Sequence, residues 1–249
     1  MEPIKKKSLQ SLAKENILKY IKENTFEQNK LPTEEMFCSM LGISRITLRS
    51  VLNDLASEGY IFRKHGKGTF VNTEALKNIA PITPLKPFSD IISDLGYRCT
   101  IKNLGFEIKP SSKKLADILK IEYGTNIVVT KKIFYANNIP VVFCEDFFSV
   151  NFLKNIEDCK KIEECETSIF QFLKKYCDKN IAWDNVRVKT TSNIKMPQLS
   201  EIFKCEGEFK DLLVFKGVNY DSENMPIVYA LEYVDTDYIP LSIIRNKII

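Results

Sequence analysis

Apolar side chains in the first third of the chain recur at spacings of three and four residues, which predicts helices. From Leu9 to Asn24 they fall on one helical face, which indicates a first helix of about four turns. Thr33 can cap a second helix that ends at Gly42, and Ser44 can cap a third after a very short turn. The third helix has a buried stripe of Leu48, Val51, Leu52 and Leu55. This arrangement predicts a helix-turn-helix.

The opposite face of the third helix is polar. Arg45, Arg49 and Asn53 follow one another there at four-residue spacing. Arg45 lies in the first turn, where its charge opposes the helix dipole, so helix stability does not account for it. An arginine in that turn can enter a major groove and make paired hydrogen bonds to a guanine edge. We therefore predict that the third helix reads DNA.

A β-hairpin is predicted directly after the third helix. Tyr60–Arg63 and Thr69–Val71 are rich in aromatic and β-branched residues, and the glycine-containing run Lys64–Gly68 separates them. Glycines at the tip permit close approach to a nucleic-acid backbone, and Lys64 and Lys67 supply charge for phosphates. Together, the three helices and the hairpin predict a winged helix-turn-helix.

The stretch LPTEEMFCSMLGISRITLRSVLNDLASEGYIFRKHGKGTFV, residues 31–71, resembles the DNA-binding domain of GntR-type bacterial transcription regulators. The family pattern is LPSERELAxxLGVSRxTVRxALxxLxxEGLxxRxxGxGTFV. One position departs from it, because Glu35 stands where the family usually has arginine. We expect an altered operator sequence or a weaker contact there. The resemblance implies a DNA-binding set of Thr33, Glu34, Ser44, Arg45, Thr47, Arg49, Lys64, His65, Gly66, Lys67, Gly68 and Thr69.

A connector and a second domain are predicted to follow. Residues 73–86 lack apolar periodicity and are helix-poor, with prolines near their end. We predict a DNA-binding domain over residues 1–75, a linker over 76–87 and a second domain over 88–249. The second domain opens with a short amphipathic helix at Phe88.

The second domain contains an internal repeat. Residues 115–148 align with residues 199–234, and each copy reads as a short helix, a turn, a strand, a polar turn and another strand. Hairpin-linked strands pair directly, so two such copies predict one antiparallel sheet. The predicted fold class is α+β, with a winged helix-turn-helix ahead of an α+β antiparallel-sheet domain.

Residues 85–245 resemble the UTRA effector-binding domain of the HutC subfamily, which has a chorismate-lyase-like fold. The resemblance implies a small metabolite bound near the sheet. An R-x-R pair that often holds effector anions in the family reads Lys132 and Phe134 here, and the family's S-L-Y reads Ser168-Ile169-Phe170. The candidate effector-binding residues are Ser89, Lys132, Phe134, Glu145, Ser168, Phe170, Tyr229 and Tyr233.

Each candidate effector residue also has a structural interpretation. Lys132 and Glu145 fit a solvated strand surface, and the two phenylalanines fit a hydrophobic core. Tyr229 and Tyr233 alternate along one strand, which fits either packing or a ligand wall.

Composition narrows the functional classes. The net charge is +4, and residues 1–75 hold 12 Lys and Arg against 9 Asp and Glu, so most of the excess lies in the predicted DNA-binding domain. Seven cysteines without metal-ligand spacing and one histidine, His65, argue against a zinc site, and we expect no metal and no cofactor. No apolar run approaches the length of a membrane span, and no signal peptide precedes the first helix. We expect a cytoplasmic, nucleoid-associated protein with reduced thiols and no membrane partner.

Three functions are compatible with parts of this sequence. The first is a transcription regulator, most simply a repressor, that binds double-stranded operator DNA as a homodimer and responds to a small-molecule effector, for instance a sugar phosphate. The second is an enzyme of chorismate-lyase-like fold fused to a DNA-binding domain, but fold alone carries no chemistry and we find no nucleophile and base set. The third is a nonspecific architectural DNA binder, which would leave the second domain unexplained. The sequence favours the regulator.

Overall fold

A computed structural model describes residues 8–64, 66–76, 80–81, 85–164, 168–205 and 208–242. The chain divides into two compact units, one drawn from Met1–Pro84 with Ser242–Ile249 and the other formed by Leu85–Leu241. The division between residues 84 and 85 falls within the stretch 76–87 that the sequence marks as a linker.

The front unit consists of helices followed by a hairpin. Its elements are α1 Leu9–Glu23, a 3-10 turn Glu27–Asn29, α2 Glu34–Leu41, α3 Arg45–Ser57, β1 Ile61–Lys64, β2 Gly68–Val71, α4 Thr73–Leu76 and β3 Ala80–Pro81. The helix-turn-helix and the hairpin are therefore confirmed. One short helix, α4, lies at the start of the segment that was predicted to be helix-poor.

Local capping sets the helix boundaries in the front unit. The Thr33 hydroxyl accepts a hydrogen bond from the Met36 amide at 3.2 Å, and the Ser44 hydroxyl accepts one from the Thr47 amide at 3.1 Å. Gly42 ends α2 in the left-handed conformation, with φ of 64°, which glycine adopts without steric cost. These contacts satisfy amides that a helix start leaves unpaired, and they keep the turn between α2 and α3 short.

The predicted apolar stripe of α3 forms the centre of the front core. Leu48, Val51, Leu52 and Leu55 are buried against α1, which contributes Ala13, Ile17 and Ile21, and against Phe37 of α2.

The hairpin is joined to this core. β1 pairs with β2 in antiparallel register from Ile61 opposite Val71 to Lys64 opposite Gly68. The Leu31 amide donates to the Thr69 carbonyl at 2.9 Å, so the segment before α2 extends the hairpin by one connection. The hairpin and the N-terminus of α2 are consequently held side by side.

The second unit is built on one six-stranded sheet. Its elements are α5 Phe88–Asp94, β4 Cys99–Pro110, α6 Lys113–Leu119, β5 Asn126–Ala136, β6 Ile139–Ser149, 3-10 turns Val150–Phe152 and Ile156–Lys160, α7 Lys161–Glu164, α8 Ile169–Tyr176, β7 Trp183–Ser192, α9 Gln198–Ile202, β8 Asp211–Tyr220 and β9 Pro226–Val234, followed by β10 Leu241–Ser242. The strand order is β4-β5-β6-β9-β8-β7, and all neighbours are antiparallel.

The internal repeat is confirmed and proves longer than the sequence alignment indicated. The first copy runs α5-β4-α6-β5-β6 and the second α8-β7-α9-β8-β9. β6 and β9 pair at the centre, so the two copies meet there and each ends at an edge strand. Alignment over residues 115–148 and 199–234 therefore missed the leading helix and the edge strand of each copy.

Helices cover both faces of this sheet. On the first face, α5 packs Phe88 against Phe134 and Phe215, with ring centroids 6.2 and 6.4 Å apart, and α8 packs Phe172 against Phe148 at 6.0 Å. On the second face, α6 packs in a cluster with Ile127, Val129, Phe147 and Tyr229, and α9 in a cluster with Ile133, Phe143, Val214 and Tyr233. The α+β class predicted from the sequence is confirmed.

None of the helices in the described ranges is long and apolar enough to cross a membrane.

We predict that Leu48→Ala lowers the free energy of unfolding of the front unit by about 2–5 kcal/mol, because the side chain is fully buried in its core and truncation leaves a cavity. Met40→Ala is the control, since Met40 is exposed on α2 and its truncation should cost less than about 1 kcal/mol. Hydrogen exchange of α1 and α3 amides in the whole chain measures both values. Equal protection in the two variants would contradict the assignment of this core.

Candidate nucleic-acid interface and ligand-binding face

The exposed side of α3 carries two arginines that meet glutamates from α2. Arg45 and Arg49 have side chains that are 65% and 64% exposed. The Arg49 Nε donates to Glu34 Oε2 at 2.8 Å, and Arg45 Nη2 lies 3.5 Å from Glu35 Oε1. The acidic partners that this helix face lacks in its own sequence are therefore supplied by the first turn of α2.

Glu34 connects three elements. Besides Arg49 of α3, it pairs with Arg63 of β1, whose Nη2 lies 3.7 Å from Glu34 Oε1. The hydrogen bond from Arg49 to Glu34 and the charge of that carboxylate raise the pKa of Arg49. Exposed ion pairs add little stability, so the main effect of Glu34 is to orient the two guanidinium groups. Glu34, which the resemblance places among the DNA contacts, is thus engaged with protein in this structure.

The remaining predicted residues at the starts of α2 and α3 are used for capping. The hydroxyls of Ser44 and Thr47 lie 2.9 Å apart, and the Thr33 hydroxyl caps α2. Ser44 and Thr47 are at the start of α3 beside Arg45, so the turn presents amides, hydroxyls and a guanidinium together.

Sequence reasoning missed one residue on this surface. Ile46, between Arg45 and Thr47, is 84% exposed, the largest exposure of any large hydrophobic residue that the structure describes. An apolar side chain on the exposed face of a reading helix can pack against the methyl group of thymine. The available signal was its position in the chain, because Ile46 lies outside the buried stripe of α3.

The wing presents charge at the turn between β1 and β2. Lys64 Nζ lies 4.7 Å from the centroid of the Phe70 ring and 5.4 Å from that of Phe62, so its ammonium is held over two aromatic rings. Lys67 is exposed at the tip, and its amide donates to the Lys64 carbonyl at 3.0 Å.

Two glycines shape this tip. Gly66 and Gly68 have φ of 68° and 110°, conformations that L side chains rarely adopt. A Cβ at Gly68 would also lie 3.2 Å from Lys30 Cε. Thr69 carries the carbonyl that receives the Leu31 amide. His65, also predicted to contact DNA, lies outside the described residues.

The first face of the sheet carries a buried polar row on its central strands. We define this row as Thr130 and Lys132 of β5, Asp146 of β6 and Glu232 of β9. Thr130 is directly opposite Asp146, while Lys132 and Glu232 are each opposite Cys144. Strand alternation places all of these side chains on the face that α5 and α8 cover.

The members of the polar row differ in their access to solvent. Lys132 is 1% exposed and Asp146 is 5% exposed, whereas Glu232 keeps partial exposure. Lys132 is therefore not a solvated surface residue, and that alternative interpretation is wrong. Along β5, the row lies between Val128, which packs in the α8 cluster, and Phe134, which packs on Phe88 of α5.

Burial perturbs the two carboxylates of the row. Burial raises the pKa of Asp146 to about 6, against the opposing effects of the Lys132 charge and of a hydrogen bond donated by Thr130 at 3.5 Å. Burial, with the charges of Asp146 and Asp184, raises the pKa of Glu232 to about 8. Both groups are held in an environment that disfavours their charged forms.

Four other predicted effector residues lie on elements of the first face. Phe134 is buried against Phe88, which fits the core interpretation. Ser89 follows Phe88 on α5, and its hydroxyl donates to Asp90 Oδ1 at 3.1 Å. Phe170 of α8 is partly buried in the cluster beneath that helix. Ser168 is the N-cap residue of α8, and its side chain makes no capping hydrogen bond.

The remaining candidates lie on the second face. Glu145 pairs with Lys131 at 3.6 Å, and Tyr229 and Tyr233 pack on the rings of Phe147 and Phe143, each at 5.7 Å. Glu145 is adjacent in sequence to Cys144, which faces Lys132, so alternation turns it to the other side of the sheet. The structure therefore does not bring all eight predicted effector residues together, because the sheet separates these three from Lys132.

Comparison with known proteins agrees with both resemblances. Residues 9–71 match the sequence model of the bacterial regulatory proteins of the gntR family, and residues 94–240 match that of the UTRA domain.

Named relatives include three regulators. The uncharacterized HTH-type transcriptional regulator YurK of Bacillus subtilis (strain 168) is 36% identical over 114 residues, which is 46% of each chain. The HTH-type transcriptional repressor NagR of the same organism is 29% identical over 45% of each chain. The chain thus spans about half the length of these two. The probable fructoselysine utilization operon transcriptional repressor of Escherichia coli (strain K12) is 22% identical over 96% of this chain and 95% of its own.

Solved structures share the fold over nearly the whole chain. The possible transcriptional regulator YydK from Bacillus subtilis has a TM-score of 0.73 at 18% identity and covers 96% of this chain and 100% of its own. PhnF from Mycobacterium smegmatis has a TM-score of 0.60 at 12% identity, with 95% and 100% covered. Because the UTRA match alone covers more than half of the sequence and a GntR match precedes it, the chain belongs to the GntR family of bacterial regulatory proteins that carry a UTRA domain.

Proposed function

We propose that this protein is a sequence-specific, DNA-binding transcription regulator whose operator binding is modulated by a small metabolite bound in its second unit. One observation carries the proposal: α3 exposes Arg45, Ile46 and Arg49 outside its buried apolar stripe, beside a basic wing. The relatives are named as transcriptional regulators and repressors, which favours repression and does not support the enzyme alternative.

In this proposal α3 and the wing contact different parts of the DNA. The N-terminal turn of α3 enters the major groove, where Arg45 donates to a guanine and Ile46 contacts a thymine methyl group. Lys67 at the wing tip contacts phosphate, which positions the protein without reading sequence. Two copies of the chain bind as a homodimer to a pseudo-palindromic operator in the cytoplasm, at the nucleoid.

The buried polar row is the proposed effector site. A small polar metabolite, such as a sugar phosphate, would place an anionic group at Lys132 and hydroxyls at Asp146 and Glu232. Glu232 supports this because it is the partly exposed end of the row. Binding changes operator affinity only if the effector prefers one of two arrangements of the dimer.

We predict that Arg45→Ala costs roughly 1–3 kcal/mol on the operator and relaxes preference at one base pair, because a paired contact to one base is lost. Lys67→Ala should instead weaken all sequences alike and reduce the slope of log K against log salt by about 1. Titration of the operator and of single-base variants at several salt concentrations measures both effects. Lys19→Ala, which removes an exposed charge from α1, is the control. A uniform loss from Arg45→Ala would contradict base reading.

We predict that Lys132→Met abolishes the thermal stabilisation produced by the effector, whereas Lys131→Met preserves it. The two lysines are neighbours in β5, but Lys131 is on the second face, paired with Glu145. Phosphorylated sugars, amino acids and nucleosides are screened by thermal shift on the full chain, and each variant is compared with its own unliganded Tm. A ligand at a hundredfold excess over its Kd stabilises by about 2.7 kcal/mol, which is readily detected. Loss of the shift in Lys131→Met alone would move the site to the other face.

We predict that stability falls as pH rises from 6 to 8 and that Glu232→Gln reduces this fall. The pKa of Glu232 is raised from its ordinary value of 4.5 to about 8 in the folded chain. Over this range the folded state keeps a proton that the unfolded state has released, so its favourable contribution is lost as pH approaches 8. Denaturant unfolding at pH 6 and pH 8 tests this, with Glu223→Gln on the exposed β8–β9 turn as control. An unchanged pH dependence in Glu232→Gln would contradict the assignment.

A further inference from the structure

The two glutamates at the start of α2 differ in their surroundings. The side chain of Glu34 is 31% exposed and pairs with arginines from both α3 and β1. The side chain of Glu35 is 83% exposed, and among the described residues its one ion pair is with Arg45, at 3.5 Å. Glu34 thus acts as a clamp within the protein, while most of the Glu35 carboxylate faces outward.

Folding does not account for Glu35. An exposed ion pair of this length adds little stability, and a favourable interaction with the α2 dipole is already available to Glu34 in the same turn. The carboxylate nevertheless stands beside Arg45, on the surface that we propose enters the major groove. We therefore infer that Glu35 acts in the complex with DNA.

A carboxylate on a DNA-facing surface is unfavourable with most sequences. It repels phosphates and loses hydration when the surfaces meet. This penalty is offset only where a base presents a hydrogen-bond donor, and in the major groove the exocyclic amino group of cytosine is the donor that a glutamate accepts from.

We propose that Glu35 is a specificity-determining residue that accepts a hydrogen bond from the amino group of a cytosine adjacent to the guanine contacted by Arg45. The ion pair keeps the two side chains next to each other. Arg45 can then donate to one base while Glu35 accepts from the adjacent base in the major groove. With other sequences the unpaired carboxylate lowers affinity, so Glu35 increases the difference between operator and nonspecific DNA. The inference rests on the proposed function and adds to it a second base-reading group of opposite charge.

This role also explains the departure at position 35. An arginine there would donate to guanine acceptors, whereas a glutamate can only accept. Replacing arginine by glutamate at this position therefore changes the preferred base from guanine to cytosine. The operator of this protein should differ at that position from operators read by relatives that have arginine there.

The test is operator selection from a random duplex library with the full-length wild-type chain and with Arg45→Ala, Glu35→Ala, Glu35→Gln and Glu23→Gln. Arg45→Ala identifies the guanine, and the wild-type chain should select a cytosine next to it. Glu35→Ala should lose that cytosine preference, roughly fivefold to a hundredfold, while its affinity for nonspecific DNA increases severalfold with a steeper salt dependence. Glu35→Gln should accept adenine at the same position, because a carboxamide both donates and accepts.

Glu23→Gln is the matched control. It removes an exposed carboxylate that is likewise paired with a cation, Lys19, but within α1 and away from Arg45. It should select the wild-type sequence.

Two results would overturn the inference in distinguishable ways. If Glu35→Ala binds every sequence more tightly but selects the same bases as the wild-type chain, Glu35 only repels DNA or holds Arg45, and the proposed function stands. If the wild-type chain selects no sequence, the proposed function fails and the role of Glu35 fails with it. Far-UV circular dichroism confirms that the exposed substitutions leave the fold intact.

Discussion

The antiparallel pairing of β6 with β9 is the interaction on which the second unit depends. It joins two copies of the same α-β-α-β-β unit into one sheet, and each copy alone would have only three strands and a core of marginal size. The register of this pairing also decides which side chains meet at the centre. Because Cys144 is opposite Glu232 and Asp146 is opposite Ala230, the two carboxylates lie diagonally across the junction of the copies.

The repeat itself explains why two acids meet there. Asp146 and Glu232 each lie six residues beyond the proline at the start of the matching strand, Pro140 and Pro226. The two acids thus hold equivalent positions in the two copies, and the central pairing brings them close to each other. Burying these carboxylates beside Lys132 lowers stability unless their charges are compensated. The aromatic packing of α5 and α8 on either side of the row supplies apolar burial that offsets this cost.

In the front unit, the buried side of α3 sets the position of its exposed arginines. A fully buried leucine stripe determines the orientation of α3, and this leaves Arg45 and Arg49 no place except the surface. Glu34 then restricts Arg49 by linking it to the wing, whereas Arg45 is held only by a longer contact. The two arginines of α3 are therefore oriented by different glutamates of the first turn of α2.

Local pattern alone determined much of this protein. The period of three to four residues, the caps at Thr33 and Ser44, and the glycines of the wing depend on interactions within a few residues, and the helices, the turn and the hairpin followed from them. The repeat likewise predicted the antiparallel sheet. The helices, caps and hairpin can be predicted from the sequence because hydrogen bonds between near neighbours in the chain stabilise them.

Other features were decided only by the tertiary structure, because they depend on residues far apart in the chain. Strand register placed Glu145, Tyr229 and Tyr233 across the sheet from Lys132, although the sequence offered all four as candidates for one site. The burial of Lys132 depends on helices that come from both copies of the repeat. The partners of Arg45 and Arg49 come from another helix, and no pattern within α3 predicts them. The sequence by itself determined the local elements and the residue types that they carry. The tertiary structure decided which of those residues share a surface, because that depends on contacts between distant parts of the chain.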